Sequence, residues 1–233
     1  MGNILFDALL AQIFGASTGG DPYVVYDDIA NRWYISAFDS NDSRLFFAVS
    51  RDGNPLHGFR SFHLINPPFP AGFPDYPKIG FNKDAIFISF NNFGPGGGDA
   101  ATIDAIDKLA IFAGTLSFFV SVPQFQFRAV PPAQLHNDRT GGVEWFVSTD
   151  GTDAGGNTIR VTEMTNYLSD SPNFTYTSLP VTPYRNAPRA EQPGGSITTF
   201  PNTTTTQVQF HRAHLVTAMA SGTPADGFTI RRL

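Results

Sequence analysis

Polar residues that could do chemistry recur along the chain about every 55 residues, an interval in the range of repeat architectures. They are Asp21, Asp75, His136 and Gln192, and Asn91 and Asn92 follow the second of them. Carboxylate and amide oxygens are the ligands that Ca²⁺ prefers, and carboxylates and histidines also transfer protons. If the fold brings the starts of the repeats together, these residue types predict a calcium site, an acid–base site, or both.

The segments that follow these residues predict β-hairpins. Asp21–Phe38 and Asp75–Phe90 each begin with an acid, run through an apolar strand, turn at a polar Asp/Asn-rich tetrapeptide and return through an aromatic strand. Looser copies begin near His136 and Gln192, and each interval holds a second pair of strands. Four strands per repeat is the blade of a β-propeller. We therefore predict one all-β domain over residues 1–233, a β-propeller of four or five blades, with the completeness of its ring left open.

The start of each repeat has a defined place in such a fold. The first strand of a propeller blade lines the central channel, so the residues at its start face the channel mouth. We predict Asp21, Asp75 and His136 as catalytic residues there, and Asp21, Asp75, Asn91 and Asn92 as ligands of Ca²⁺. Two carboxylates at equivalent positions repel unless a cation or a shared proton compensates, which favours a metal. The alternative is that each polar residue caps its own strand.

Composition narrows the range of partners. The formal net charge is −5 and the 15 basic residues are scattered, so nucleic acid is a poor candidate. No apolar run has the roughly 18–20 residues that cross a bilayer, and no basic segment precedes the apolar N-terminal stretch, so neither membrane insertion nor a signal peptide is expected. The absence of cysteine excludes disulfides, thiolate metal sites and cysteine nucleophiles.

Four stretches carry a resemblance to known proteins: residues 19–38, 46–55, 73–93 and 143–151. They resemble a group of bacterial exported β-propeller proteins of mostly unassigned activity, with sialidase-like or lactonase-like architecture, over roughly residues 15–220. Typical members carry another blade before the position that matches Gly2, so the resemblance implies a chain truncated at its N-terminus. It also implies an exported, extracellular origin.

The function expected from these features is calcium-dependent hydrolysis of a small ester or lactone in the channel mouth, by analogy with propeller lactonases. A propeller that binds glycans or proteins without catalysis is an equal alternative. A sialidase-type glycosidase is less favoured, because it needs an arginine cluster around a carboxylate pair and the chain has only three glutamates. The expected partner is a small molecule or a glycan, and the oligomeric state is left open.

Two short segments and the two tryptophans carry structural predictions. The segments VSRDG and VSTDG, at residues 49–53 and 147–151, resemble the Asp-box turns of sialidases, in which an aspartate bonds to its own backbone. Trp33 and Trp145 are expected to lie buried between neighbouring blades.

Overall fold

A computed structural model describes residues 10–15, 20–39, 44–65, 73–94, 97–122, 130–136, 141–149, 156–184, 205–211, 214–219 and 227–231. Strands dominate these residues, and the helices are a turn at residues 10–14, a short 3₁₀ segment at Pro55–His57 and α1 at Lys108–Ala113. No helix in the described part of the chain is long and apolar enough to span a membrane.

The strands form four successive units. The first blade contains β1 (Gly20–Asp27), β2 (Arg32–Asp39), β3 (Arg44–Ser50) and β4 (Phe59–Ile65). The second contains β5 (Phe73–Phe81), β6 (Ala85–Gly94), β7 (Gly97–Asp107) and β8 (Phe118–Ser121), with α1 between β7 and β8. The third contains β9 (Ala133–Leu135), β10 (Val143–Thr149), β11 (Gly156–Thr165) and β12 (Asn173–Tyr184). The fourth contains β13 (Thr205–His211), β14 (His214–Met219) and β15 (Gly227–Arg231).

The first strands of the units lie side by side. Within each unit, successive strands are antiparallel, and an isolated bridge from Pro132 to Phe146 joins the β9 segment to β10. By contrast, β9 pairs in parallel with both β5 and β13. Antiparallel sheets that radiate from a set of parallel inner strands are the blades of a propeller. The all-β propeller expected from the sequence is confirmed.

Two apolar clusters fill the spaces between adjacent blades. Alternate residues of β6 point to opposite faces, so Ile88 packs with Tyr34 and Phe47 against the first blade, while Phe87 packs against Phe146 of the third. The rings of Phe87 and Phe146 meet edge to face at 6.1 Å. Because the second blade is covered on both faces, β6 is buried at almost every described position.

Trp33 is placed differently from the sequence-based expectation. It is only partly buried, its ring lies 4.9 Å from that of Tyr26, and its Nε1 donates a hydrogen bond of 3.0 Å to the carbonyl of Gly53. It therefore packs on a loop of its own blade, and the expectation of burial between blades is wrong for this residue. The loop itself has the expected Asp-box feature, because Asp52 accepts a hydrogen bond from the backbone of Asn54.

Candidate site at the channel mouth

A β-bulge occurs at the start of the first strand in each of the first two blades. The β1–β2 ladder shifts between Gly20 and Tyr23, and the β5–β6 ladder shifts between Asp75 and Lys78. A bulge of this kind bends the strand and re-aims its side chains. The same local device therefore shapes the channel mouth in both blades.

Each bulge contains one non-glycine residue with positive φ, directly before a proline. These residues are Asp21, with φ 43°, and Tyr76, with φ 56°. Such a conformation is uncommon outside glycine, and strained residues tend to cluster at functional sites. The mouth therefore combines backbone strain with charged and aromatic side chains.

The bulges correct the expected equivalence of the two acids. Asp21 corresponds to Tyr76, and Asp75 corresponds to Gly20, because the ladder shifts begin at Gly20 and at Asp75. The equivalence of Asp21 and Asp75 expected from the sequence is therefore wrong by one residue. The two acids are nevertheless neighbours, since the charge of Asp21 contributes to the shift in the pKa of Asp75.

Lys78 lies between the aromatic and acidic groups of the mouth. Its Nζ is 4.6 Å from the ring centroid of Tyr23 and 3.6 Å from that of Tyr76, within the range of cation–π attraction. Burial lowers the pKa of Lys78 to about 8, although the carboxylates of Asp21 and Asp75 oppose this shift. We call these five residues the mouth cluster.

The two acids of the mouth cluster have different surroundings. Asp75 is partly buried, and burial first and the charge of Asp21 second raise the pKa of its carboxyl, while Lys78 opposes the rise. Asp21 is exposed. Two neighbouring carboxyls in unlike environments can take different protonation states at one pH, which is the basis of acid–base catalysis by paired carboxyls.

The third blade also reaches the cluster. The side chain of Gln134, in β9, hydrogen bonds with the hydroxyl of Tyr23, and burial raises the pKa of that hydroxyl. Gln134 Nε2 donates a second hydrogen bond, of 3.4 Å, to the carbonyl of Ile79. Side chains from the first strands of three blades therefore meet around Tyr23.

The structure separates the two asparagines. Asn91 lies opposite Asp75 in the β5–β6 ladder and Asn92 lies opposite Pro74, and both are buried. Directly opposed residues of an antiparallel pair share a face, while successive residues point to opposite faces. Asn91 is therefore beside Asp75, whereas Asn92 points towards the first blade, and the two cannot ligate one ion together with Asp75. Within the described residues, no three acidic or histidine side chains are grouped as they would be around a metal ion.

His136 lies at the other end of the inner strands. It follows β9, its Nδ1 is 2.7 Å from Oδ1 of Asp28, which follows β1, and its ring meets that of Phe81, the last residue of β5, at 5.2 Å. The expectation that His136 joins Asp21 and Asp75 is therefore wrong. The reason is that β9 has only three residues and precedes the histidine, which stands at the end of this strand. Gln192 lies outside the described residues.

Sequence reasoning missed Lys78 and the two tyrosines. A usable signal was present, because Pro22 and Pro77 each stand one residue before a member of the cluster, in the segments DPY and YPK. An alignment of the two prolines, instead of the two acids, makes Lys78 the equivalent of Tyr23.

A second charged group is buried where β1 ends. Asp27 Oδ2 accepts hydrogen bonds from the hydroxyl of Tyr34, at 2.7 Å, and from Nζ of Lys108, at 2.5 Å. Its Oδ1 accepts from the backbone amides of Ile29 and Ala30 at 2.9 Å each. Both oxygens of this carboxylate are satisfied within the protein, so the group has the character of a structural anchor.

The chain is similar to several solved structures at low sequence identity and with TM-scores below 0.5. The chain is 10% identical to the GH43 β-1,3-galactosidase BT0265, with a TM-score of 0.47, over 90% of this chain and 41% of that one. It is 9% identical to a subtype N11 neuraminidase-like protein from a flat-faced bat isolate, with a TM-score of 0.47, over 91% of this chain and 60% of that one. The GH43 endo-arabinanase from Bacillus licheniformis is 15% identical, with a TM-score of 0.41, over 87% of this chain and 65% of that one. No protein-family model matches the sequence, and no curated protein is detectably similar to it.

Proposed function

We propose that the mouth cluster is the active centre of a hydrolase that cleaves a glycosidic bond. The observation that carries the proposal is the pair of unlike carboxyls, Asp75 partly buried with a raised pKa and Asp21 exposed. Glycosidic bonds are cleaved by such a pair, in which one carboxyl donates a proton and the other acts as a carboxylate.

Each acid has a role that follows from its surroundings. Asp75 holds its proton to higher pH than an ordinary aspartate and gives it to the oxygen of the leaving group as the bond to the anomeric carbon breaks. Asp21 faces solvent, and its carboxylate takes a proton from the water that attacks that carbon. The proton then returns to Asp75 through solvent, which restores the starting state.

The remaining residues of the cluster support this chemistry. Tyr23 and Tyr76 present aromatic rings next to the acids, and polar groups placed among aromatic rings commonly fix the orientation of a ligand. The ammonium group of Lys78 favours the ionised form of the Asp75 carboxyl, so it limits how far the pKa of Asp75 can rise. A glycan is therefore the ligand class that best fits these side chains.

Calcium-dependent hydrolysis of a small ester or lactone is the second candidate. It is favoured by the position of Asn91 beside Asp75, because an amide oxygen and a carboxylate are both suitable ligands for Ca²⁺. The ion would compete with the ammonium group of Lys78 for the two acids. Calcium affinity should therefore increase as the pH rises through about 8, where Lys78 loses its charge.

One panel of substrates separates these functions. Nitrophenyl glycosides, nitrophenyl esters and lactones are assayed with Ca²⁺ and with a chelator, for the native chain and for Asp75→Asn and Asp21→Asn. We expect glycoside turnover that the chelator leaves unchanged and that falls by roughly 100-fold or more in either variant. Asp170→Asn, in the exposed loop between β11 and β12, is the matched control. Chelator-sensitive turnover of a lactone would favour the second candidate, and no turnover of any substrate would contradict both.

A further inference from the structure

A separate pocket of about 270 Å³ lies between the first blade and helix α1. Its polar lining includes Arg32, Arg51 and Arg60, and its apolar wall includes Phe112. Arg32 is paired with Asp27, the last residue of β1, so the pocket lies at the opposite end of the blade from the mouth cluster. We call it the arginine pocket.

Two of the guanidinium groups are held in place by the protein. Arg32 stacks on the ring of Phe112 at 5.4 Å from its centroid and donates a 2.9 Å hydrogen bond to the carbonyl of Asn31. Arg60 donates a hydrogen bond of 3.4 Å to the carbonyl of Ile111 in α1. Because a guanidinium group has five N–H donors, each arginine keeps several donors for a ligand.

Three arginines bring three positive charges to the pocket. Among the described residues, no carboxylate forms an ion pair with Arg32, Arg51 or Arg60. The charge of Arg32 contributes to the lowered pKa of Asp52, but the first cause of that shift is the hydrogen bond from His57, which binds the Asp52 carboxylate at 2.8 Å. Three cations that converge without a paired acid repel one another unless an anion lies between them.

We propose that the arginine pocket binds a tetrahedral oxyanion, a phosphate or sulfate group. Arginine forks match the geometry of such groups and form charge-assisted hydrogen bonds that are about twice as strong as neutral ones. The ring of Phe112 offers an apolar wall to the carbon skeleton of an ester. This binding is independent of the proposed hydrolysis, because the pocket and the mouth cluster lie at opposite ends of the first blade.

The test is calorimetric titration of the native chain with inorganic sulfate and inorganic phosphate at constant ionic strength. We expect one saturable site, with affinity reduced by about tenfold or more in Arg60→Gln and in Arg51→Gln, as for the loss of a charge-assisted hydrogen bond. Both arginines are exposed, so neither substitution should prevent folding. Lys83→Gln is the matched control, because it removes one positive charge from an exposed turn outside the pocket and should leave the affinity unchanged.

A second measurement covers the case in which a variant is damaged. Sulfate should raise the melting temperature of the native chain and of Lys83→Gln, and this rise should be lost in Arg60→Gln. Tighter binding of a sugar phosphate or sugar sulfate than of the free ion would assign the pocket to an esterified ligand, and equal binding would assign it to the free ion. Binding that does not saturate, or that weakens equally in Lys83→Gln, would overturn the proposal.

Discussion

The ammonium group of Lys108 lies 2.5 Å from Oδ2 of Asp27, and both side chains are almost completely buried. Lys108 begins the helix of the second blade and Asp27 ends the first strand of the first blade. The Lys108 ammonium also donates to the carbonyl of Asn82, in the turn after β5. This ion pair therefore joins two blades through charge as well as through apolar packing.

Lys108→Met should destabilise the protein by about 3–5 kcal/mol, because it leaves the Asp27 carboxylate buried without its cation. The free energy of unfolding in urea measures the effect. The double variant Lys108→Met/Asp27→Asn should recover part of the loss, and Lys83→Met, in an exposed turn, is the control. A loss as small as that of the control would show that the pair contributes little.

Asp104 should make the protein less stable as the pH rises. This side chain lies in β7 opposite Ile88, among the apolar residues between the first two blades, and neither carboxyl oxygen has a hydrogen-bond partner among the described residues. Burial raises its pKa from 3.8 to about 8. Between these values the folded state holds a proton that the unfolded state releases, so the stability contributed at low pH is lost towards pH 8.

The test of this prediction is urea unfolding of the native chain and Asp104→Asn at pH 5, 6.5 and 8. The variant cannot ionise at this position, so its stability relative to the native chain should improve steadily across the series. Asp170→Asn controls for loss of an exposed carboxylate. A constant difference at all three pH values would contradict the buried, protonated state of Asp104.

Lys78→Met should shift the pH dependence of the proposed hydrolysis. The positive charge of Lys78 lowers the pKa of Asp75, so its removal allows Asp75 to keep its proton to higher pH. The alkaline limb of the kcat/KM profile should therefore move upward in the variant. Lys83→Met should leave the profile in place, and an unmoved limb in Lys78→Met would remove Asp75 from the role of proton donor.

Gly80→Ala should weaken the contact between the second and third blades. A Cβ atom at this position would lie 2.4 Å from the carbonyl oxygen of Ala133 and 2.6 Å from Cβ of Pro132. Relief of such a clash requires the two first strands to separate, at a cost of about 1–3 kcal/mol. Thermal unfolding measures this cost, with Thr175→Ala on the exposed side of β12 as control. Equal melting temperatures for the two variants would show that the strands accommodate the extra carbon.

The sequence supports prediction of features that depend on local chemistry. The hairpin after β1 turns where Asp27 accepts hydrogen bonds from the backbone amides of Ile29 and Ala30. The hairpin after β5 turns where Asn82 accepts hydrogen bonds from the backbone amides of Asp84 and Ala85. Such bonds form between residues two and three apart, so the residue types alone indicate them. The apolar strands and the spacing of the turns between them then predict the four-stranded blades.

The mouth cluster and the arginine pocket depend on strand register and on packing between elements, which the sequence composition does not show. The matching ladder shifts of β1 and β5 make Tyr76, and not Asp75, the equivalent of Asp21, although both repeats begin with an acid. Arg32 lies in β2, Arg51 follows β3 and Arg60 lies in β4, so strand register and the packing of α1 together bring them to one pocket. Residue types can be read from the sequence, but the directions in which these side chains point follow from strand register and tertiary packing.

The strand pairing divides the described part of the propeller into three sheets, one of which contains β10, β11 and β12. Backbone hydrogen bonds run without interruption through eight strands, from β15 through β13, β9 and β5 to β8, whereas the four strands of the first blade form a sheet of their own. In the described residues, side chains such as Tyr34, Phe81 and the Lys108–Asp27 pair hold that blade to the rest. Amide protons of β2 and β3 should therefore exchange with solvent through an opening that leaves those of β5 and β6 protected.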